Sequence, residues 1–101
     1  MKNKFKLYFG TILCKFTNKI FDCILKSNYS GENLVHLGCM YHGTCSNAIK
    51  AAGFDYKYKN IFWQGCLIAT RIIIKGERQI GRFELAQELE DHLNTMPEKL
   101  P

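Results

Sequence analysis

A chain of 101 residues, 47% hydrophobic and 13% aromatic, holds one modest core; these figures exclude a disordered chain and leave no room for a second domain. The net charge of +5 is unevenly spread: residues 1–75 carry eleven Lys or Arg against Asp22, Glu32 and Asp55, whereas residues 76–101 carry three basic against six acidic side chains. A basic body with an acidic end points to an anionic partner surface, phospholipid headgroups or nucleic acid.

From Phe5 to about Lys26 the apolar residues Phe5, Phe9, Ile12, Leu13, Phe16, Ile20, Cys23 and Ile24 recur at spacings of three and four. That period predicts an amphipathic helix. Lys15, Lys19 and Lys26 border its apolar face on one side and Lys6 on the other. Such a helix either packs on a core or lies in a membrane interface, with Phe5, Phe9 and Phe16 among the acyl chains and the lysine stems reaching the phosphates. Each lysine near an anionic leaflet gains about 1 kcal/mol, so membrane binding is the expectation for this segment.

Ser27-Asn28-Tyr29-Ser30-Gly31 is a cluster of turn formers that ends the helix and opens a loop. The loop is expected to carry the run Cys39-Met40-Tyr41-His42-Gly43-Thr44-Cys45-Ser46, with a second helix starting at Thr44 or Ser46, whose hydroxyls suit a cap. Gly53 closes that helix, because glycine takes a left-handed conformation without penalty. Ile61, Phe62, Trp63, Leu67, Ile68 and Ile72 predict a third helix over 59–72. The β-branched run Ile72-Ile73-Ile74 leaves open a hairpin over 67–83 instead, turning at Lys75-Gly76-Glu77-Arg78. Phe83, Leu85, Ala86, Leu89 and Leu93 among acidic residues predict a last helix that ends before Pro97.

The expected fold is therefore mainly α, a small single-domain helical protein over 1–101, with α+β as the alternative. Its parts are the basic helix 1–26, a cysteine-bearing core 27–75 and an acidic C-terminal helix 76–101. The longest stretches without formal charge, 33–49 and 60–70, are too polar or too short to span a bilayer. The five cysteines cannot all pair within one chain, and the lysine-rich N-terminus lacks the pattern of a cleavable signal. A cytoplasmic setting is the default expectation.

Several chemistries fit the cysteine run. Buried thiols commonly pack as small hydrophobes. His36, Cys39, His42 and Cys45 recur every third residue and supply a zinc-type ligand set, although the short gaps are unlike those of most structural zinc sites. A Cys39–Cys45 disulfide is sterically allowed. A Cys45 at a helix N-terminus would be a candidate nucleophile, with His42 or His36 as base. No complete catalytic constellation and no metal or other cofactor is assigned. Nucleic acid is a less suitable partner, because the lysines border an apolar face and are not interleaved with exposed aromatics.

The spacing of Cys39, Tyr41 and Gly43-Thr44-Cys45-Ser46, with a basic amphipathic segment before it and the Trp63–Arg71 segment after it, resembles the YidD family of membrane-protein insertion efficiency factors. The chain departs from that family's pattern at Gly43, where the family carries proline, and at Met40, where it carries a basic residue. The resemblance covers residues 10–75. It implies an accessory factor, not an enzyme, held peripherally on the cytoplasmic side of the cell inner membrane. There it would assist insertion of nascent membrane proteins by the YidC/Oxa1-type insertase and Sec machinery, with Cys39, Tyr41, Thr44, Cys45 and Ser46 as its motif. Other functions compatible with the residues are a small cysteine-dependent or zinc-binding phage or mobile-element protein, or a nucleic-acid-binding module.

Overall fold

Four helices account for nearly all of the described chain: α1 (Lys2–Leu25), α2 (Gly31–Ala52), α3 (Tyr56–Gln79) and α4 (Phe83–Thr95). The computed structural model describes residues 2–53 and 56–100, and side chains from residue 8 onward except at position 56. No strand occurs among the described residues, so the protein is mainly α and the hairpin over 67–83 is not formed. Residues Ile72, Ile73 and Ile74 continue α3, because Ile72 and Ile74 are buried in helix packing that outweighs their β preference. The predicted turn at Lys75–Arg78 is also helical; the chain reverses at Gly81, which takes φ +87°.

The largest departure from expectation is α2. Its N-cap is Ser30, whose side chain accepts from the Asn33 N–H, and it runs unbroken through the cysteine run to Gly53. Gly53 closes it with φ +62°, as expected. The run Cys39–Ser46 is therefore the middle of a helix and not a loop followed by a helix start. Thr44 does not cap: its hydroxyl donates to the Met40 carbonyl one turn back.

What holds α2 so long is a column of small residues. Gly31, Gly38, Cys45 and Ala52 recur every seven residues, and all four are buried. A seven-residue repeat keeps one seam turned toward a partner helix. The partner is α3, running antiparallel. A Cβ on Gly31 would lie 2.7 Å from the Gly76 carbonyl oxygen, and one on Gly38 would lie 2.9 Å from that of Ala69 and 2.5 Å from Ile73 Cγ1. The backbones approach too closely there for any larger side chain. Leu34 and Ile72, both 0% exposed, fill the seam between these contacts.

α3 is central, packing against α1, α2 and α4. α1 runs parallel to it: Gly10 faces Phe62, Cys14 donates to the Ile61 carbonyl, and the Lys75 ammonium donates to the carbonyls of Leu25 and Ser27 at the end of α1. A cation there satisfies orphan carbonyls and the negative end of the helix dipole. α4 buries Ala86 on α3 and is tied to it by the Arg78–Glu90 ion pair. The tail returns along α3, where the Trp63 indole donates to the Pro97 carbonyl at 2.8 Å and Asn60 accepts from the Leu100 N–H at 2.8 Å.

Candidate functional site

α1 has two stripes with different surroundings. The inner one is Thr11, Cys14, Asn18, Phe21 and Leu25, buried or half-buried against the bundle. The outer one is the more apolar. Phe9, Ile12, Leu13, Phe16 and Ile20 are 54%, 48%, 58%, 65% and 45% exposed, and Tyr8 and Cys23 are exposed beside them. The structure therefore turns the face read from the sequence outward and seats α1 through its more polar stripe. Among the flanking residues, Lys15, Lys19 and Lys26 are exposed. Lys26 also reaches Asp22 at 3.8 Å, a solvent-exposed pair of little energetic weight. Phe5 and Lys6 belong to the backbone of α1, but their side chains lie outside the described residues.

A contiguous run of exposed large apolar side chains is uncommon on a helix surface. Rimmed by lysines, it has the make-up of a helix lying in a membrane interface. Acidic Glu84, Glu88 and Asp91 are exposed on α4, the helix on another side of α3. None of the four helices is long and apolar enough to cross a membrane among the described residues.

The helical course of the cysteine run splits its residues between two faces. Cys39 and Thr44 are exposed, together with Met40 and Gly43, whereas Tyr41, Cys45 and Ser46 turn inward. Cys39 and Cys45 are both free and on different sides of α2. His36 shares the exposed side with Cys39, away from the buried Cys45, so the four residues of the zinc reading do not converge. Among the described residues no group of three or more His, Cys, Asp or Glu is arranged to hold a metal ion. The nucleophile reading also loses its basis: Cys45 sits in mid-helix, far from the N-terminal dipole at Gly31, and its thiol pKa is pushed up.

Inside, Cys45 joins a cluster that the sequence did not reveal. Cys14 of α1, Cys45 of α2 and Cys66 of α3 meet beside Phe62 and Ala52. The Tyr41 hydroxyl lies 3.3 Å from the Cys14 sulfur and donates to Asn18 Oδ1 at 2.5 Å, while its ring packs on Phe21 with centroids 4.5 Å apart. Ser46 Oγ lies 3.9 Å from the Cys66 sulfur. Gly65 makes room for Cys45, whose sulfur occupies the space a Cβ there would need. A hydrogen bond from Cys45 brings the Cys14 thiol down to about 7 despite burial, or the Cys66 thiol down to about 7 in its place, since Cys45 has one proton to donate. Cys45 is raised chiefly because it shares its proton with Cys14 and Cys66, and Tyr41 is raised chiefly by burial.

The fold and its surface define a small, mainly α protein that, among the described residues, has four helices and a lysine-rimmed apolar face on α1. Comparison with protein-family models, with curated proteins and with solved structures found no match for this chain.

Proposed function

We propose that the protein is a peripheral membrane protein that attaches to an anionic leaflet through the outer face of α1. The observation that carries this reading is the exposed stripe Ile12, Leu13, Phe16 and Ile20, flanked by exposed Lys15 and Lys19. Lipid would cover the apolar stripe, and phosphates would meet the lysines at its border. The acidic residues of α4 are repelled by the same surface and face the cytoplasm. In line with the resemblance to the YidD family, the attached protein assists insertion of nascent membrane proteins as an accessory to the insertase, without an enzymatic step.

The test is co-sedimentation with vesicles of neutral lipid, with and without anionic lipid. Binding that needs anionic lipid, weakens with salt and is lost on truncating α1's apolar residues supports the proposal. Equal recovery in the supernatant with and without vesicles refutes it. Recovery with single-stranded nucleic acid in preference to vesicles favours the nucleic-acid module instead.

A further inference from the structure

Three cysteines from three different helices, α1, α2 and α3, come together in one buried cluster. Cys14, Cys45 and Cys66 are all free, and only 6%, 2% and 3% exposed. Cys45 shares one buried cluster with both other thiols, and its sulfur fills the space beside Gly65, the neighbour of Cys66 in α3. Each outer thiol also has a hydroxyl neighbour: Tyr41 beside Cys14 and Ser46 beside Cys66. Alkyl groups would suffice if the junction served packing alone. Thiols gathered in one buried cluster, with a hydroxyl beside each outer one, support sulfur chemistry as well.

We propose that this junction is a thiol–disulfide site, in which Cys45 bonds to Cys14 or Cys66 on two-electron oxidation by a hydroperoxide. The outer thiol, as thiolate, attacks one oxygen of hydrogen peroxide. The O–O bond breaks, and the departing hydroxide takes up a proton to leave as water. The Cys45 sulfur then attacks the sulfenic sulfur, the S–S bond forms, the S–O bond breaks, and a second water leaves with the Cys45 proton. Two thiols and one peroxide become one disulfide and two waters. The Ser46 hydroxyl, or that of Tyr41 once it turns from Asn18 Oδ1, assists by donating to the attacking thiolate. A bond to Cys14 ties α1 to α2; a bond to Cys66 ties α2 to α3. This inference stands independently of the membrane reading.

The experiment uses the full chain with the exposed Cys23 and Cys39 changed to serine, treated with hydrogen peroxide and mapped without reduction by mass spectrometry. The expected product is an intramolecular disulfide that contains Cys45, reversed by dithiothreitol. In the same background, Cys45→Ala is expected to stop at a sulfenic acid on Cys14 or Cys66, trapped by dimedone. A Cys14–Cys66 bond, bonds only between chains, or three thiols that stay reduced until denaturant opens the fold would overturn the proposal. The map of the parent variant decides on its own, so a Cys45→Ala chain that fails to fold leaves the test intact.

Discussion

Changing Leu13 and Phe16 together to glutamate separates a membrane face from a core face. The two side chains are 58% and 65% exposed. Full burial of a Leu or Phe side chain gains about 1.5–3 kcal/mol, so the exposed fraction leaves about 1–2 kcal/mol per residue to be gained from lipid. Each glutamate forfeits that gain and adds about 1 kcal/mol of repulsion from an anionic leaflet. The double variant should therefore lose about 4–6 kcal/mol of membrane affinity, roughly three to four orders of magnitude in partitioning. The fold should barely respond, because both side chains already sit in water and such changes stay within about 0.5 kcal/mol each. Vesicle co-sedimentation reads the first quantity; a urea titration followed by circular dichroism reads the second. A variant that binds vesicles like the parent, or one whose unfolding free energy drops by several kcal/mol, would refute the reasoning.

Other expectations follow from the interior. Gly38→Ala forces a methyl against the Ala69 carbonyl and Ile73 and should destabilise by about 1–3 kcal/mol. Gly43→Ala, at an exposed mid-helix position with nothing within 4 Å of a Cβ, should stabilise by about 0.5–1 kcal/mol; urea midpoints moving in the same direction for both would contradict the α2–α3 seam. Lys75→Met removes the donor to the Leu25 and Ser27 carbonyls and should cost about 1.5–3 kcal/mol, with proteolysis of the α1–α2 connection rising first. Stability should also depend on pH in two opposing limbs. The lowered pKa of Cys14 or Cys66, about 7 against an ordinary 9.0, contributes stability that is present above pH 9 and lost as pH falls through 7. The raised values of Cys45 and Tyr41 contribute stability that is present below their ordinary 9.0 and 10.0 and lost as pH rises beyond them. Unfolding free energy should thus rise from pH 7 to a maximum near pH 9 and then fall; a flat profile in the wild type, or one that Cys14→Ser leaves unchanged, would contradict the cluster's electrostatics.

The helical class, the first and last helices and the closure at Gly53 were legible because they rest on local signals: a 3.6-residue period, a turn cluster, a glycine stop. The start of α2 lies upstream of the expected one because Thr44 and Ser46 are good capping residues in isolation. The overriding signal was the seven-residue column Gly31, Gly38, Cys45, Ala52, which is visible in the sequence but is built of side chains too small to stand out as an apolar stripe. Ile72–Ile74 show the same competition, since tertiary burial outweighed β propensity. The outer face of α1 was readable residue by residue. Its outward orientation fits the membrane-interface expectation, and the burial of Thr11 and Cys14 on the opposite stripe fixes it. Cys14 and Cys66 stand far from Cys45 in sequence, and no local pattern links them.

Photo-cross-linking by position tests membrane attachment through α1 most directly. With a photoreactive amino acid placed at Phe16 in one protein and at Glu88 in another, each is bound to vesicles that contain an anionic, radiolabelled phospholipid and then irradiated. Phe16 lies on the exposed apolar stripe, and Glu88 is exposed on the acidic α4. The account predicts labelled lipid on the chain carrying the probe at position 16 and background labelling at position 88. Equal labelling at both positions, or labelling at position 88 alone, would contradict it.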